Sequence, residues 1–386
     1  MRAISSGAQI FIGTGLSDSL VNLQNLALAA RLCDRGFRVS LLIHGPESDG
    51  LVIDPRVSVL RWPSPRPTGL ADLRFVDRLI RRTRPCCLIS HFGASTAMMS
   101  CGALRRVPIR IRWHHTLSSQ LEFDHGAQSS LSRLLGRVRA QLMFSCVTHM
   151  VANSYAAKRD LVDNFDVPES RCSVFWNALA DPLDPSADLG IKPSSKPIPP
   201  RFVCVGRFAP SKGQDVLIRS LPSATRVFPD LVVEFIGDGS TQETCERLAS
   251  SLGVRDRCIF LGRLSRRQVL THISGAAATI VPSRSEAFGL VNIESMSLGV
   301  PVIASNTGGI PEIVRPEVDG LLFETGNHEA LGSCLMNIAG NGRLRTELGA
   351  NSRQRFLDRF ELSRAVSAQA EWVSDLVFAL PRAALN

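Results

Sequence analysis

The sequence lacks the features that mark several broad classes of protein. No run of residues approaches the ~20 continuous apolar positions of a membrane-spanning helix. Polar residues follow Met1 too early for a secretory signal peptide, so we expect a cytoplasmic protein. The ten cysteines include no Cys-x-x-Cys spacing, which argues against zinc and redox motifs and favours free thiols. With one tyrosine and no interleaving of basic and aromatic residues, the chain is not expected to bind nucleic acid.

Two phosphate-binding signatures are also missing. The segment Gly13-Thr14-Gly15 has no third glycine at the spacing of a dinucleotide fingerprint, and no Gly-Lys-Ser/Thr phosphate loop occurs. What is present is a globular composition: 386 residues, 44% hydrophobic and 20% charged. A chain of this length predicts two domains, each with a substantial core.

The net charge of +9 is concentrated in the first half of the chain. Up to Asp184 there are 22 basic and 15 acidic residues. Between Arg61 and Arg112 lie eleven arginines and only two acidic residues, Asp72 and Asp77. This distribution predicts an electropositive sector and an anionic partner or substrate.

Short apolar runs alternate with helical patterns along the whole chain, which indicates parallel sheets. In the first half, Gly13-Thr14-Gly15 is predicted to end the first strand at a glycine turn. Strands are predicted over these ranges: Gln9–Ile12, Arg38–Ile43, Val57–Leu60, Cys86–Ser90, Pro108–Trp113 and Val147–Asn153. In the second half they are predicted over Arg201–Gly206, Leu231–Gly237, Arg257–Gly262, Ala277–Val281 and Pro301–Ser305.

These patterns predict an α/β protein with two doubly wound, Rossmann-like parallel-sheet domains that face each other across a cleft. The segment 181–200 contains six prolines and is interpreted as the linker. The predicted divisions are an N-terminal domain at 1–180, a C-terminal ligand-binding domain at 201–361, and a final helix at 362–386 that can pack on either domain, with packing back on the N-terminal domain as the expectation. Ligands of such sheets bind at the carboxyl ends of the strands.

The first candidate site follows a predicted strand and precedes a helix that begins near Gln214. It runs Val-Gly-Arg-Phe-Ala-Pro-Ser-Lys-Gly and carries two cations, Arg207 and Lys212. A helix N-terminus flanked by two fixed cations suits a diphosphate. Exposed surface charge is the alternative interpretation of the same residues.

The second candidate site is the stretch from Pro282 to Gly299, in which Glu286 and Glu294 are separated by seven residues. Glu286 is predicted in a loop after a strand, and Glu294 in a helix that opens near Gly289. An ionised carboxylate only accepts hydrogen bonds, so it can bind sugar or ribose hydroxyls. Two glutamates at this spacing also occur on solvated helices.

A third candidate is the pair His114 and His115 at the end of a predicted strand, with His91 at the end of the preceding one. A histidine at a strand terminus is often a loop hydrogen-bonder. Paired histidines also suggest a metal site, but no third ligand stands at a suitable local spacing.

Together these segments resemble the retaining glycosyltransferases of family 4, which have the GT-B fold. The resemblance rests on these motifs: Gly13 to Gly15, Val151-Ala152-Asn153-Ser154, Trp176-Asn177, the Gly206 to Gly213 loop, Phe235-Ile236-Gly237-Asp238-Gly239, Phe260-Leu261-Gly262 and the block from Glu286 to Pro311.

The resemblance implies retaining transfer of a hexose from a nucleotide-diphosphate sugar to a saccharide or lipid-linked acceptor, in polysaccharide or glycolipid biosynthesis. Domain 1–180 would then be the acceptor-side domain and domain 201–361 the nucleotide-sugar-binding domain. Arg207 and Lys212 would bind the donor diphosphate, Glu294 the ribose, and Glu286 would lie near the transferred sugar. His115 best matches the active-site histidine, with His114 second. Four backbone positions would also contact the donor: Gly15, Phe288, Gly289 and Leu290.

No Asp-x-Asp metal motif occurs, so a mechanism without a metal or other cofactor is expected. Ala178 and Ala287 stand where the family usually has glycine, which puts two local turns in doubt. A nucleotide-sugar epimerase and an inactive nucleotide-sugar-binding scaffold are the alternatives.

The segment from Leu131 to Phe144 has the arginines and leucines of a basic amphipathic helix. Such a helix can lie on an anionic membrane surface. Core packing of Leu135, Leu142 and Phe144 is the alternative. With the arginine excess nearby, the pattern predicts peripheral membrane association.

Overall fold

The computed structural model describes residues 7–17, 19–47, 51–65, 67–126, 130–185, 191 and 200–381. These form two compact units. Unit 1 takes its described residues from Met1–His115, Gln128–Leu179 and Leu362–Asn386, and unit 2 from Thr116–Ala127 and Ala180–Glu361. Residues 116–126 thus group with the second unit although they lie within the first 180 residues. Most of the proline-rich segment 181–200 lies outside the described residues.

Unit 1 contains a seven-stranded, all-parallel sheet of order β3-β2-β1-β4-β5-β6-β7. Its strands are β1 Gln9–Leu16, β2 Arg38–Glu47, β3 Ser58–Arg61, β4 Cys87–Ser90, β5 Ile109–His114, β6 His149–Ala152 and β7 Cys172–Val174. The helices up to β7 are α1 Leu20–Asp34, α2 Leu70–Thr83, α3 Ser95–Leu104, α4 Ser118–His125, α5 Ser130–Ser145 and α6 Tyr155–Phe165. Helix α4 belongs to unit 2.

Unit 2 contains a six-stranded parallel sheet of order β10-β9-β8-β11-β12-β13. Its strands are β8 Arg201–Val205, β9 Val232–Ile236, β10 Cys258–Gly262, β11 Ala278–Val281, β12 Val302–Ser305 and β13 Gly320–Phe323. The remaining helices are α7 Gln214–Val227, α8 Gln242–Ser251, α9 Arg266–Ser274, α10 Leu290–Ser297, α11 Ile310–Ile313, α12 His328–Gly340, α13 Gly342–Arg359 and α14 Leu362–Phe378.

The last helix, α14, packs in unit 1 against α1. Its buried positions Val366, Ala370, Val373 and Val377 recur every three or four residues, so they form one apolar face. That face joins the core formed by β1, β2, β4 and β5. Amphipathicity specifies a buried face and not its neighbour, so the sequence allowed either domain as the partner and favoured the N-terminal one.

The predicted glycine turn at residues 13–15 is wrong, because β1 continues through both glycines to Leu16. Neither glycine has a positive φ. Gly13 instead gives room to Met98, whose Sδ would lie 2.5 Å from a Cβ at that position. At Gly15 a Cβ would lie 2.8 Å from the Asn22 amide nitrogen. Close packing, not turn geometry, requires these glycines.

Two strands were not predicted. β7 has three residues, which is too short for an alternation pattern to be detected. β13 begins with Gly320, a residue that disfavours strands. A Cβ there would lie 2.7 Å from the Val302 carbonyl oxygen of β12, so the close approach of the two strands requires glycine.

Among the described residues, no helix is both long enough and apolar enough to cross a bilayer.

Candidate functional site

The loop after β8 carries the predicted cations of unit 2. Gly213 adopts φ +65° at its end, and a Cβ there would overlap the carbonyl oxygen of Pro282. The loop after β8 lies directly against the loop after β11, and only glycine leaves room for this approach at position 213. Helix α7 then begins at Gln214, as the sequence predicts.

Lys212 and Glu286 are brought into direct contact by this approach. The Lys212 Nζ lies 2.7 Å from the Glu286 Oε2, and the side chains are 22% and 12% exposed. The hydroxyl of Ser283 donates to the same Oε2 at 3.2 Å. The sequence assigned the two residues to different parts of a ligand, whereas here they form one ion pair. The other carboxylate oxygen, Oε1, has no partner among the described residues.

Arg207 is held by Asp124, a residue of α4 that the sequence did not identify. The guanidinium lies 2.6 Å from Asp124 Oδ2, and its side chain is 62% exposed. The second carboxylate oxygen accepts from the backbone N–H of Ser211 at 3.1 Å. Asp124 thus ties both ends of the loop after β8 to α4. The two residues stand 83 positions apart, so no local pattern could reveal the contact.

Glu294 lies in α10 and is only 8% exposed. Burial raises the pKa of its carboxyl to about 7, and the nearby Arg266 opposes this shift. The Arg266 Nε lies 3.8 Å from Glu294 Oε1. The carboxyl is therefore balanced between its neutral and ionised forms at neutral pH. Arg266 was not identified from the sequence, because it opens another helix, α9.

The N-terminus of α10 presents the three predicted backbone positions. Gly289 has φ +93° and caps the helix without a side chain. Phe288 is 1% exposed and its ring packs edge-on against Phe360, so only its backbone is available. In the parts of the chain described, the N–H groups of Phe288, Gly289 and Leu290 donate to no other group. These are the orphan donors that make a helix N-terminus bind anions.

The loop after β12 lies against the same segment. The Gly309 N–H donates to the Glu286 carbonyl oxygen at 3.0 Å, and a Cβ on Gly308 would overlap that oxygen. Unit 2 therefore holds Arg207, Lys212, Glu286 and the α10 amides on loops at the carboxyl end of one sheet, which is where parallel sheets bind ligands.

In unit 1, His115 directly follows β5 and His91 follows the neighbouring strand β4. Their ring nitrogens, His91 Nδ1 and His115 Nε2, lie 3.1 Å apart. Burial, with smaller effects of His114 and Arg112, lowers the pKa of His115 to about 3. Burial also holds the pKa of His91 well below its usual value. Both rings are neutral near pH 7, which favours a hydrogen-bonding role over proton transfer.

His114 has different surroundings. Its Nε2 lies 3.7 Å from Asp160 Oδ2, and its ring meets Phe165 edge-on. The alternation of β5 places it on the opposite face of the sheet from Trp113. The other predicted position of unit 1, Gly15, donates its N–H to Asn22 Oδ1 at 3.1 Å.

No group of three His, Cys, Asp or Glu side chains suited to a metal ion occurs within the described ranges. The described cysteines form no disulfides.

Two family models match the chain. Residues 191–355 match the model described as glycosyl transferases group 1, and residues 21–180 match the model described as glycosyltransferase family 4. Together they span both units.

Among curated proteins, the chain is similar to the GDP-mannose-dependent alpha-(1-6)-phosphatidylinositol monomannoside mannosyltransferase of Mycolicibacterium smegmatis. The two are 31% identical over 182 residues, which cover 45% of this chain and 48% of that protein. It is also similar to the D-inositol 3-phosphate glycosyltransferase of Mycolicibacterium gilvum, with 34% identity over 263 residues, 65% of this chain and 58% of that one. The chain thus spans about half the length of these relatives.

Among solved structures, the fold is similar to that of Anabaena HepE in complex with UDP. The TM-score is 0.69 with 19% identity, and the match covers 95% of this chain and 100% of the other. At this identity the similarity concerns the fold alone.

Proposed function

Because the chain belongs to the family 4 glycosyltransferases and has their GT-B fold, we propose that it transfers a hexose from a nucleotide-diphosphate sugar to an acceptor hydroxyl with retention of the anomeric configuration. The family and fold predictions are confirmed, and so is the glycosyltransferase class. The proposal of a nucleotide-diphosphate sugar as donor rests on one observation. Arg207, Lys212, Glu286 and the backbone N–H groups at the start of α10, which donate to no group among the described residues, lie at one edge of the unit 2 sheet.

The diphosphate is the part of the donor that fits the cations. When the bond between the sugar C1 and the diphosphate oxygen breaks, its electron pair stays on the departing diphosphate. The acceptor oxygen then bonds to C1 on the face that the diphosphate leaves, and its proton passes to the departing diphosphate oxygen. Lys212 has three donor hydrogens, so it can keep its bond to Glu286 while it contacts a phosphate oxygen. Positive groups placed where negative charge grows stabilise the transition state.

The two glutamates take different parts of the donor. Glu286 has one carboxylate oxygen available to accept from a sugar hydroxyl, since the other accepts from Lys212 and Ser283. Glu294 accepts from two ribose hydroxyls, and both of its oxygens can act as acceptors only when the carboxyl is ionised. A donor that binds the ionised carboxylate therefore shifts the protonation equilibrium of Glu294 toward the ionised form. In unit 1 we assign His115 to the transfer site as a hydrogen-bonding group and Gly15 to the donor diphosphate.

The test is product formation by the purified full chain. UDP- and GDP-linked hexoses should be offered with saccharide and lipid-linked acceptors, with the product detected by mass spectrometry and its anomeric configuration by NMR. We expect a product with the configuration of the donor, formed at an unchanged rate in EDTA because side-chain cations and amides serve the leaving group. Nucleotide-sugar binding without any product would support the inactive scaffold instead. Loss of activity in EDTA with rescue by magnesium or manganese would contradict the metal-independent mechanism.

A lipid-linked acceptor in an anionic membrane is favoured by one face of unit 1. Of the eleven arginines between Arg61 and Arg112, Arg81 and Arg105 pair with Asp77. Arg110 donates to backbone carbonyls, and Arg112 lies over the Phe144 ring at 4.9 Å. Asp77 therefore offsets one of the two positive charges it contacts, and Arg110 and Arg112 are engaged within the fold.

The remaining charge is organised along α2. Its side chains Arg74, Arg78 and Arg82 recur every fourth residue and line a surface cavity of about 720 Å³. On α5, which packs beside α3 as α2 does, three apolar side chains face outward: Leu135 is 60%, Val138 44% and Leu142 66% exposed. Phe144 is in the core, so the alternative of core packing holds for that residue alone. Exposed leucines beside arginines suit an anionic bilayer surface.

Membrane binding should therefore depend on salt. We expect vesicles containing anionic lipid to cosediment the protein at low ionic strength and release it at high salt, since each basic residue near the headgroups contributes about 1 kcal/mol. Replacing Arg74, Arg78 and Arg82 by glutamine should abolish cosedimentation. The charge-matched control replaces Arg247, Arg263 and Arg267 of unit 2, which should leave it intact. Equal vesicle binding by both triple variants would contradict the assignment of the membrane-binding surface to α2. The cytoplasmic location stays a prediction.

A further inference from the structure

Both cations assigned to the donor diphosphate are paired with carboxylates of the same unit. The Lys212 Nζ lies 2.7 Å from Glu286 Oε2, and the Arg207 guanidinium lies 2.6 Å from Asp124 Oδ2. The formal charges of these four groups cancel. An incoming diphosphate is attracted by the cations and repelled by the carboxylates beside them. It can therefore gain the full attraction of a cation only where the carboxylate gives way.

Asp124 contacts the loop after β8 in the manner of a bound phosphate. Its Oδ2 accepts from the Arg207 guanidinium, and its Oδ1 accepts from the backbone N–H of Ser211 at 3.1 Å. Guanidinium and backbone N–H groups are donors with which proteins bind phosphate oxygens. The Asp124 side chain is 9% exposed, whereas that of Arg207 is 62% exposed. The carboxylate thus occupies donors that a phosphate could use, while the guanidinium stays accessible from solvent.

Of the two carboxylates, Asp124 is held less firmly. The Glu286 carboxylate also accepts from the Ser283 hydroxyl, and both of these residues belong to one loop. Asp124 belongs instead to α4, whose two apolar side chains, Leu121 and Phe123, are 48% and 44% exposed. A helix that buries little apolar surface separates from its neighbours at a low cost in free energy. Asp124 can therefore leave its cation while the core of unit 2 stays folded.

The start of α4 is attached to two more loops at the same edge of the sheet. The hydroxyl oxygens of Ser119 and Ser285 lie 2.8 Å apart, so α4 also contacts the loop after β11. Leu117 is 7% exposed, and its Cδ1 would lie 3.2 Å from a Cβ on Gly308 in the loop after β12. Helix α4 thus contacts the loops after β8, β11 and β12, which together carry the proposed donor site.

We propose that Asp124 is an internal ligand of the donor site, which the donor diphosphate displaces from Arg207 and Ser211, and that α4 detaches from the site with it. The identity of the displacing ligand, a nucleoside diphosphate, rests on the proposed function. The apparent affinity for a ligand is its intrinsic affinity multiplied by the fraction of molecules in the competent state. Asp124 thereby lowers the donor affinity, and occupancy of the site by the donor controls the position of α4.

The experiment is calorimetric titration of the full chain with UDP and GDP in EDTA. Asp124→Asn keeps the shape of the side chain and an acceptor oxygen for Ser211 but loses the charge. It should bind at least one of the nucleotides about 5-fold more tightly than the wild type, the gain expected if α4 is attached in about four-fifths of the molecules. The matched control is Glu122→Gln, which removes an exposed carboxylate from the same helix and should bind as the wild type does. In the Arg207→Ala background, Asp124→Asn should leave the affinity unchanged, because no cation remains to be released.

Hydrogen exchange of the backbone amides of residues 116–126 provides a readout that does not depend on affinity. Saturating nucleotide should speed exchange in this segment of the wild type, because α4 is released, whereas a ligand that merely covers the segment would slow it. In Asp124→Asn the exchange should be fast before nucleotide is added.

Weaker or unchanged nucleotide binding by Asp124→Asn would overturn this inference alone, because Asp124 would then hold Arg207 in place for the diphosphate or have no part in binding. An equal gain in Glu122→Gln, a gain that persists in the Arg207→Ala background, or slower exchange in α4 on nucleotide binding would also overturn it. Failure of both the wild type and Asp124→Asn to bind either nucleotide would instead overturn the donor site of the proposed function, and this inference with it.

Discussion

Replacing Lys212 by alanine is expected to slow sugar transfer by about 100-fold or more, the cost of removing one fixed donor from a developing charge. The loss should appear in turnover and in nucleotide-diphosphate affinity, because in the proposed function Lys212 contacts the diphosphate before and during its departure. The variant also removes the partner of Glu286 at 2.7 Å and leaves a largely buried carboxylate without its cation. Part of the effect will therefore be loss of stability.

A second variant separates the two effects. The double change Lys212→Ala with Glu286→Gln removes the unpaired charge, so it should recover stability but not activity. Arg207→Ala should also slow transfer. Lys158→Ala, which alters the pair of a half-buried lysine with the exposed Glu169 in unit 1, serves as the control. Steady-state kinetics and thermal unfolding measure the outcome. Wild-type kinetics in the Lys212 or Arg207 variant would refute the diphosphate assignment.

Glu294→Gln is expected to make the protein more stable and its donor binding weaker. The pKa of Glu294 is raised from 4.5 to about 7, so the folded state favours the neutral carboxyl. The stability that the folded state has relative to the ionised form of Glu294 is fully present below about pH 4.5, and it is lost as the pH rises through about 7. Glutamine keeps the shape but never ionises. At pH 8 the variant should gain up to about 3 kcal/mol in free energy of unfolding, and at pH 4 almost nothing.

The loss of donor affinity follows from hydrogen-bond chemistry. An amide has one acceptor oxygen and an NH₂ that donates, so it cannot accept from two ribose hydroxyls as a carboxylate does. Urea unfolding at pH 4 and pH 8 measures the gain in the free energy of unfolding, and nucleotide titration measures the loss of donor affinity. Glu286→Gln should instead affect mainly turnover. A Glu294→Gln variant that is less stable at pH 8, or interchangeable in its defects with Glu286→Gln, would contradict the separate roles.

Local signals in the sequence were sufficient for most of the fold. Gly213 and Gly289 have positive φ beside α7 and α10, and both helices begin next to glycines that the sequence displays. Alternating strands and helices predicted parallel sheets because the crossover connection needs a helix. β1 was predicted too short, because the sequence does not distinguish a glycine required for close packing from a glycine required for a turn.

The sequence located the candidate residues at strand ends and helix starts but did not reveal their contacts. Arg207, Lys212, Glu286 and Glu294 could be selected because cations and carboxylates stand at strand ends and helix starts. Their partners could not, since the Arg207–Asp124 contact and the Glu294–Arg266 contact join distant parts of the chain. The pairing of His91 with His115 also depends on the adjacency of β4 and β5, which tertiary structure alone establishes.

Calorimetric titration of the full chain with UDP and GDP in EDTA tests the central claim most directly, namely that unit 2 holds a nucleoside diphosphate through Lys212 and Glu294 without a metal. We predict one bound nucleotide per chain for at least one of the two, weakened about 10-fold or more by Lys212→Ala and by Glu294→Gln. Arg247→Ala, which alters an exposed arginine paired with Glu243, should bind as the wild type does. No binding of either nucleotide, or equal affinity in the wild type and in Lys212→Ala, would contradict the claim.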